Sequence, residues 1–460
     1  GVVFMGDGHH LAINWQLAFQ TRTINNDYAL FTNNVNNPIT PRDFKGTAFA
    51  PVIPSFQYAY NKGKWSFQAS FALTGGGGKC TFDDGLGSFE KIVAETAIAA
   101  CQLAGAVDQV AGAYHVPAIF SSNQCFGTEG KYSYNSYMHG RQYYYGLSAG
   151  AAYKFSDNFS AFLGVRGVYA LTNYYGYVEN IQVGQMPLYK VLNPAKESSA
   201  NIELSCDQSG VGFTPIIGVD YKTGRWNFSA KYEFKTRIRL KNKSVNQIPS
   251  IGNLPDNLRN AYIANGVPEA AADAILSNPK IQGAMVALKT QFDSKIDGAI
   301  GEYEDGKKIA GDIPAYLALG VGYSPVDAVR VNAGFHWFDD KNATSYNNRN
   351  KELKRGTLEY NAGVEVDVNK KITLSTGWQN TNYGLSDEYM DDKSFVVSSN
   401  SVAIGGVYHI NKKMDLNVAY FHTFYQHKKT SEKVQLTAEK SINYSSDYTR
   451  NNNVFAVGLD

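Results

Sequence analysis

The sequence predicts an all-β protein, about fourteen antiparallel strands closed into a transmembrane β-barrel with helical segments in its long loops. Three observations carry this. Long segments alternate apolar and polar residues with period two, aromatic residues make up 13% of the 460-residue chain, and short polar turns alternate with long connections.

The alternation is plainest in WNFSAKYEFKTRIRL. Trp226, Phe228, Ala230, Tyr232, Phe234, Ile238 and Leu240 fall on one side, and Asn227, Ser229, Lys231, Glu233, Lys235, Arg237 and Arg239 on the other. A Lys or Arg facing lipid at mid-bilayer costs about 2–4 kcal/mol, so the aromatic side is expected outward and the charged side inward. The first such segment, LAINWQLAFQTRTI, places Leu11, Ile13, Trp15, Leu17 and Phe19 on one face. The pattern returns at KWSFQASFAL, RQYYYGLSAGAAYKF, FSAFLGVRGVYAL, VGFTPIIGVDY, DIPAYLALGVGY and AVRVNAGFHWF, and in further segments through the terminal NVFAVGL. SFQYAY completes the strand count. A soluble β-sandwich is the competing architecture, but its strands usually run about five or six residues.

Other classes are disfavoured by composition. The formal charge of +2 offers no clustered basic face for nucleic acid. No stretch approaches the roughly 18 apolar residues of a transmembrane helix, and the mean hydropathy of −0.31 is neutral, as expected where lipid-facing and lumen-facing residues average out.

Tight turns are expected at 61–64, 156–158, 222–225, 324–327, 369–371 and 411–413, each built from Gly, Asn, Asp, Pro or Lys. Long connections are expected at 23–54, 75–140, 173–208, 241–311, 340–353 and 427–449, so that the tight turns all fall on one rim, the periplasmic one. Loop 75–140 predicts a helix over 88–113. Loop 241–311 predicts a second, starting at Pro268, and then an apolar stripe of Ile281, Met285, Leu288, Phe292 and Ile296.

AFAPVIPSFQYAY, the Ser156-Asp157-Asn158 turn before FSAFLGVRGVYALTNYYGYV, and AYLALGVGYSPVDAVRVNAGFHWFDDKNA resemble the FadL-type family of outer-membrane transporters for long-chain fatty acids and other hydrophobic compounds, Bacteroidetes members above all. The resemblance spans nearly the whole chain. It implies a monomeric barrel in the outer membrane of a Gram-negative bacterium, in contact with outer-membrane lipid, without cofactor, nucleic acid or enzymatic activity. It implies that residues 1–10 are the tail of an N-terminal hatch and 11–460 the barrel. Two departures stand out: the family's Asn-Pro-Ala hatch element is not seen, and the last strand ends at Leu459-Asp460, without the usual terminal aromatic. Both ends are therefore expected to be trimmed. The rival readings are a secretion-system or surface-assembly barrel that binds proteins, and a general porin.

The resemblance gives the apolar loop residues a role as a capture groove for an acyl chain, formed by Ile98 and Leu103 on the first helix and by Ile281, Met285, Leu288 and Phe292. The competing reading packs these helices on each other as a lid. A fatty acid's carboxylate needs a cation in an apolar site. Inward candidates by parity are Arg166, Lys231, Lys235, Arg237, Arg239 and Arg330, with Arg166 nearest mid-barrel. Arg166 is either that partner or part of a lumenal ladder with Asp220, Glu233, Glu359, Glu365 or Asp367. Gly75-Gly76-Gly77-Gly78-Lys79-Cys80 fails the phosphate-loop spacing, because Leu73 stands where a glycine is required. Sideways release through a kinked early strand, which the resemblance implies, makes Gly75, Gly76, Gly77 and Gly78 the expected lateral gate.

Cys80, Cys101, Cys125 and Cys206 are all expected in external loops. Two disulfides of open connectivity, or a reduced Cys101, fit an oxidising envelope. His9, His10 and His336 have no visible companion ligands, so no metal is expected. No Ser, His and Asp group has a recognisable local context, so no hydrolase is expected either.

Overall fold

The computed structural model describes residues 2–118, 130–193, 195–249, 251, 253–436 and 440–460. On β1 (Gly8–Tyr28), Leu11, Ile13, Trp15 and Phe19 are exposed on the outer wall, as the alternation requires. The other strands are β2 (Arg42–Lys62), β3 (Trp65–Phe82), β4 (Tyr132–Lys154), β5 (Phe159–Val183), β6 (Met186–Pro187), β7 (Ile202–Thr223), β8 (Trp226–Glu233) and β9 (Arg239–Gln247). They continue with β10 (Lys308–Ala310), β11 (Tyr316–Val326), β12 (Val329–Phe338), β13 (Arg355–Asn369), β14 (Ile372–Gly384), β15 (Ser399–Asn411), β16 (Met414–Tyr425), β17 (Lys428–Gln435) and β18 (Ser441–Leu459).

These eighteen strands form one sheet, and β1 pairs with both β2 and β18, so the sheet closes on itself without an edge. β6 only extends the edge of β5. β8 with β9, β10 with β11, and β16 with β17 each occupy one position in the wall, which leaves fourteen antiparallel wall strands. Gly63 and Gly224 turn two of the expected tight hairpins at φ 58° and 53°.

Many strands outrun their hydrophobic pattern. The connection expected over 23–54 shrinks to 29–41, because β1 continues through Asn25-Asn26-Asp27-Tyr28 and β2 already starts at Arg42. Beyond the hydrocarbon the outer face meets water, so the ladder continues while the apolar alternation that advertises it stops. β1 also begins at Gly8, ahead of the expected start of the barrel. Before it, the 3₁₀ turn Val2–Phe4 lies at the tight-turn end, held where Asn61 Nδ2 donates to Val2 O at 2.7 Å. The expected long connections do not include 385–398, between β14 and β15, where Tyr389, Met390, Phe395 and Val397 continue the apolar residues of the flanking strands.

Helices α1 (Gly87–Ala113), α2 (Leu254–Ala264), α3 (Glu269–Leu276) and α4 (Pro279–Ile300) cap the long-loop end. Among the described residues no helix is long and apolar enough to cross a membrane. α1 is rich in alanine and packs on several sides: Val93, Ala97, Ala100, Leu103, Ala104, Val107 and Ala111 are all buried in one cluster with residues of the other three helices. Its first turn is fixed by charge. Glu90, fully buried, accepts hydrogen bonds from Asn34 Nδ2 (2.9 Å), Tyr132 OH (3.0 Å) and Tyr134 OH (2.8 Å), and is ion-paired with Arg42 of β2. The helix dipole favours an anion there.

Candidate functional site

The barrel interior near the tight-turn end encloses a cavity of about 860 Å³, lined by Gln68, Ser148, Asp220, Lys231, Asn332 and His336 among others. Its polarity suits water. Arg166 is spent within it: Nη2 lies 2.6 Å from Glu233 Oε2, while Lys231 Nζ lies 3.0 Å from Glu233 Oε1. Of the two readings of Arg166, the lumenal ladder is the one the contacts display. Arg330 likewise faces inward onto Glu365 and Asp367, at 2.9 and 2.6 Å.

Arg237 and Arg239 are not lumenal. β8 pairs Glu233 with Ile216 of β7, whereas β9 pairs Lys241 with Ser209, a register one residue out of step. The irregular stretch between Glu233 and Thr236 takes up that residue and inverts the alternation. Thr236 therefore turns inward to a hydrogen bond with Thr214, Ile238 and Leu240 pack in the interior cluster with Val168 and Ala170, and Arg237 and Arg239 turn out. Lys235, within the slip, donates to Asn342 O at 3.0 Å.

The apolar site lies higher, under the foot of α1. Phe89 and Ile92 of α1, Met138, Tyr174, Ile202, Ile300 and Tyr303 enclose a cavity of about 50 Å³, with Lys393 in its wall. Lys393 comes from the overlooked loop 385–398; its Nζ stands 5.8 Å from the Tyr303 ring centre and 3.9 Å from Asp391 Oδ2. Burial pushes the nearby Glu302 carboxyl up, and the Lys393 charge opposes that shift. Met138, Tyr174 and Lys393 are shared with a second small cavity that continues to Arg22, Gly78, Cys80 and Gln142 on the inside of the wall.

There the wall is interrupted. β2 and β3 pair from Gly46 to Ala48 and again from Ser55, leaving residues 49–54 without a ladder to β3. Pro51 and Pro54 cannot donate to one. On β3, Gly76 and Gly78 adopt φ of 94° and 79°, and the pairing with β4 shifts on both sides of Gly75. A Cβ on Gly76 would lie 2.2 Å from Gln142 O, so only glycine fits. Outside the gap, Phe49, Val52 and Phe56 face the lipid level. Three of the four glycines of the expected gate, Gly75, Gly76 and Gly78, thus lie at a break in the wall, and the side-chain surroundings of Gly77 lie outside those described.

The expected capture groove is packed shut. Leu103, Ile281, Leu288 and Ile296 are buried, Met285 is nearly so, and Ile98 packs partly buried against the same cluster. A stripe that can line a groove can equally line a helix interface, and α1 against α4 takes that option. The side chain of Phe292 lies outside the described residues. Cys80 and Cys206 are on strands and are free thiols, not partners in loop disulfides; Cys125 lies outside the described residues. Sequence reasoning does not reach the pocket residues Met138, Tyr174, Tyr303 and Lys393, because β4, β5, the turn after α4 and the 385–398 loop supply one each and no local spacing links them.

The loop that supplies Lys393 also holds α1. Asp392 Oδ2 accepts from Ser88 N at 2.9 Å, and burial, helped by Asp391, pushes its carboxyl up to about 6. A raised carboxyl favours the protonated form in the fold, so this contribution is complete below pH ~4 and is lost as pH rises through ~6. Exchange of the first α1 amides, corrected for intrinsic rate, is expected to be better protected at pH 5 than at pH 7, by on the order of 2 kcal/mol at most. Asp392→Asn is expected to flatten that dependence.

A closed fourteen-stranded antiparallel wall with an apolar outer band and a capped end defines a transmembrane β-barrel. Its particular fold is that of the FadL-type channels. A Pseudomonas aeruginosa FadL homologue matches with a TM-score of 0.57 over 99% of this chain and 91% of its own, at 14% identity. The toluene transporter TodX of Pseudomonas putida matches at 0.50 and 13% identity, and a TodX deltaS2S3 mutant, a monoaromatic hydrocarbon channel, at 0.51 and 14%, each over 99% of this chain and 91% of theirs. Neither a family model nor a curated protein matches the sequence.

Proposed function

We propose that this barrel lies in the outer membrane of a Gram-negative bacterium and takes up hydrophobic molecules, with a long-chain fatty acid as its substrate. The observation that carries the reading is continuity: an apolar pocket beneath α1 leads past Met138, Tyr174 and Lys393 to the wall break at Gly78. An acyl chain gains roughly 25 cal/mol per Å² on leaving water for such surface. Lys393 supplies the charge for its carboxylate. Below the break the polar, ion-paired lumen offers an apolar solute nothing, so the chain leaves sideways into the bilayer.

Equilibrium binding of a labelled long-chain fatty acid and of its methyl ester to the detergent-purified protein tests this. Lys393→Met is expected to weaken the acid about tenfold, the loss of one charge-assisted contact, and to leave the ester unchanged. Arg166→Ala is expected to alter neither. No saturable binding of either probe sinks the proposal, and equal losses for acid and ester remove Lys393 from it. A second reading, a small aromatic hydrocarbon as substrate, is favoured by the small cavity and by the rings of Phe89, Tyr174 and Tyr303 that line it. Saturable toluene binding without fatty-acid binding would select it.

A further inference from the structure

We infer that the outer wall carries a binding site for the phosphorylated headgroup of an anionic glycolipid in the outer leaflet, formed by Arg141, Lys241 and Lys243. The argument starts from register. Residues directly opposite in a sheet share a face, and the pairings Tyr143–Leu171, Leu171–Ser209, Ser209–Lys241 and Lys241–Lys308 lay one row across five strands. The row above it runs Lys79, Arg141, Asn173, Asp207, Lys243. Both rows face outward, because the residues below them on the same face, Leu147, Val211 and Phe213, are the exposed apolar band.

Arg141, Lys241 and Lys243 stand above Val211 and Phe213, at the height of the headgroups, and the outward cations continue down β9 with Arg239 and Arg237 beside those two apolar residues. The register slip in β8 and β9 is what brings Lys241 and Lys243 there. Between Arg141 on one side and Lys241 and Lys243 on the other lies an open cavity of about 800 Å³, floored by Tyr143, Tyr145, Tyr169 and Leu171. The two sides are three interstrand spacings apart, roughly 14 Å, a span suited to a sugar headgroup with a phosphate at each end. Its acyl chains would run down over Val211 and Phe213. Two acids share the lining, and each is already engaged: Asp207 accepts from Asn173 Nδ2 and Asp305 from Ser244 N, both at 2.8 Å.

This inference rests on the outer-membrane placement proposed above but not on the substrate. Titration of the detergent-purified full chain with an acylated diglucosamine bearing two phosphates, followed by native mass spectrometry, tests it. With each basic residue near such a surface contributing at the usual scale, Arg141→Gln/Lys241→Gln/Lys243→Gln is expected to bind about 100-fold more weakly. The dephosphorylated glycolipid is expected to bind the wild type more weakly by a similar factor, and inorganic phosphate at the same concentration not to compete. Lys412→Gln/Lys413→Gln at the opposite rim is expected to change nothing. Equal affinity for the two glycolipids, an unaltered triple variant, competition by free phosphate, or an equal loss in the control each overturn the inference. Should the triple variant not fold, Lys243→Gln alone is expected to lose about fivefold, and no loss there overturns it as well. Fatty-acid binding by the same preparations is expected to be unaffected, so the two readings fail separately.

Discussion

Replacing Glu90 with alanine is expected to free the foot of α1 from the barrel rim and to destabilise the cap by about 3–5 kcal/mol, the range for breaking a buried ion pair from one side. Arg42, only slightly exposed, would be left with its charge uncompensated, and the hydroxyls of Tyr132 and Tyr134 would each lose an acceptor. Unpaired buried polar groups are costly in their own right. Hydrogen exchange across 87–113 measures the effect directly, and the barrel strands serve as the internal reference. Glu90→Gln, which keeps an acceptor but not the charge, is expected to fall between. Because Arg42 carries much of the penalty, Glu90→Ala combined with Arg42→Ala is expected to be milder than the two single losses added. Unchanged protection of α1 in the single variant would mean that apolar packing alone holds the cap.

The second large effect concerns transport. A Cβ placed on Gly78 would lie 3.5 Å from Ala50 Cβ across the unpaired stretch of β2 and β3, at the short end of the about 3.5–4.5 Å range found in disulfides. Ala50→Cys/Gly78→Cys, in a Cys80→Ser background that avoids mispairing, is expected to staple the break. The positive φ at Gly78 makes the cysteine there locally unfavourable by about 1–2 kcal/mol, which closure of the barrel can absorb. Uptake of a labelled fatty acid into vesicles or cells is expected to fall more than tenfold when the pair is oxidised and to return on reduction, while binding to the loop pocket persists. Uptake indifferent to the staple would rule out exit between β2 and β3.

The barrel was legible because lipid writes a simple rule into each strand. Leu11, Ile13 and Trp15 must face out, and nothing but closure satisfies so many β-edges at once. The rule ends with the hydrocarbon, which is why Asn25 to Tyr28 and the upper reaches of β4, β5 and β7 read as loops. The break in the wall was legible for a related reason: Gly76 and Gly78, opposite Pro51 and Pro54, break backbone rules that any strand must otherwise obey. The pocket was not. Met138 and Tyr174 lie on strands 36 residues apart in number and meet Lys393 from the 385–398 loop, so no local spacing announces them. The stripe Ile281, Met285 and Leu288 announced an apolar surface correctly, but a helix neighbour and a ligand ask for the same residues.

The one-residue slip at the junction of β8 and β9 acts on the chain as a frameshift acts on a message. Up to Glu233 the even positions are addressed to lipid; from Thr236 onward the same parity is addressed to the interior, and the odd positions, Arg237 to Lys243, to the outer surface. One strand thus carries two reading frames, and at this chain length the side chains downstream keep their meaning only while the slip is kept. Straightening the strand without removing a residue would exchange the compartments of the β9 residues that follow, whereas deleting the one extra residue near Lys235 would let Phe234 and Thr236 follow in unbroken alternation and leave the β9 residues where they are.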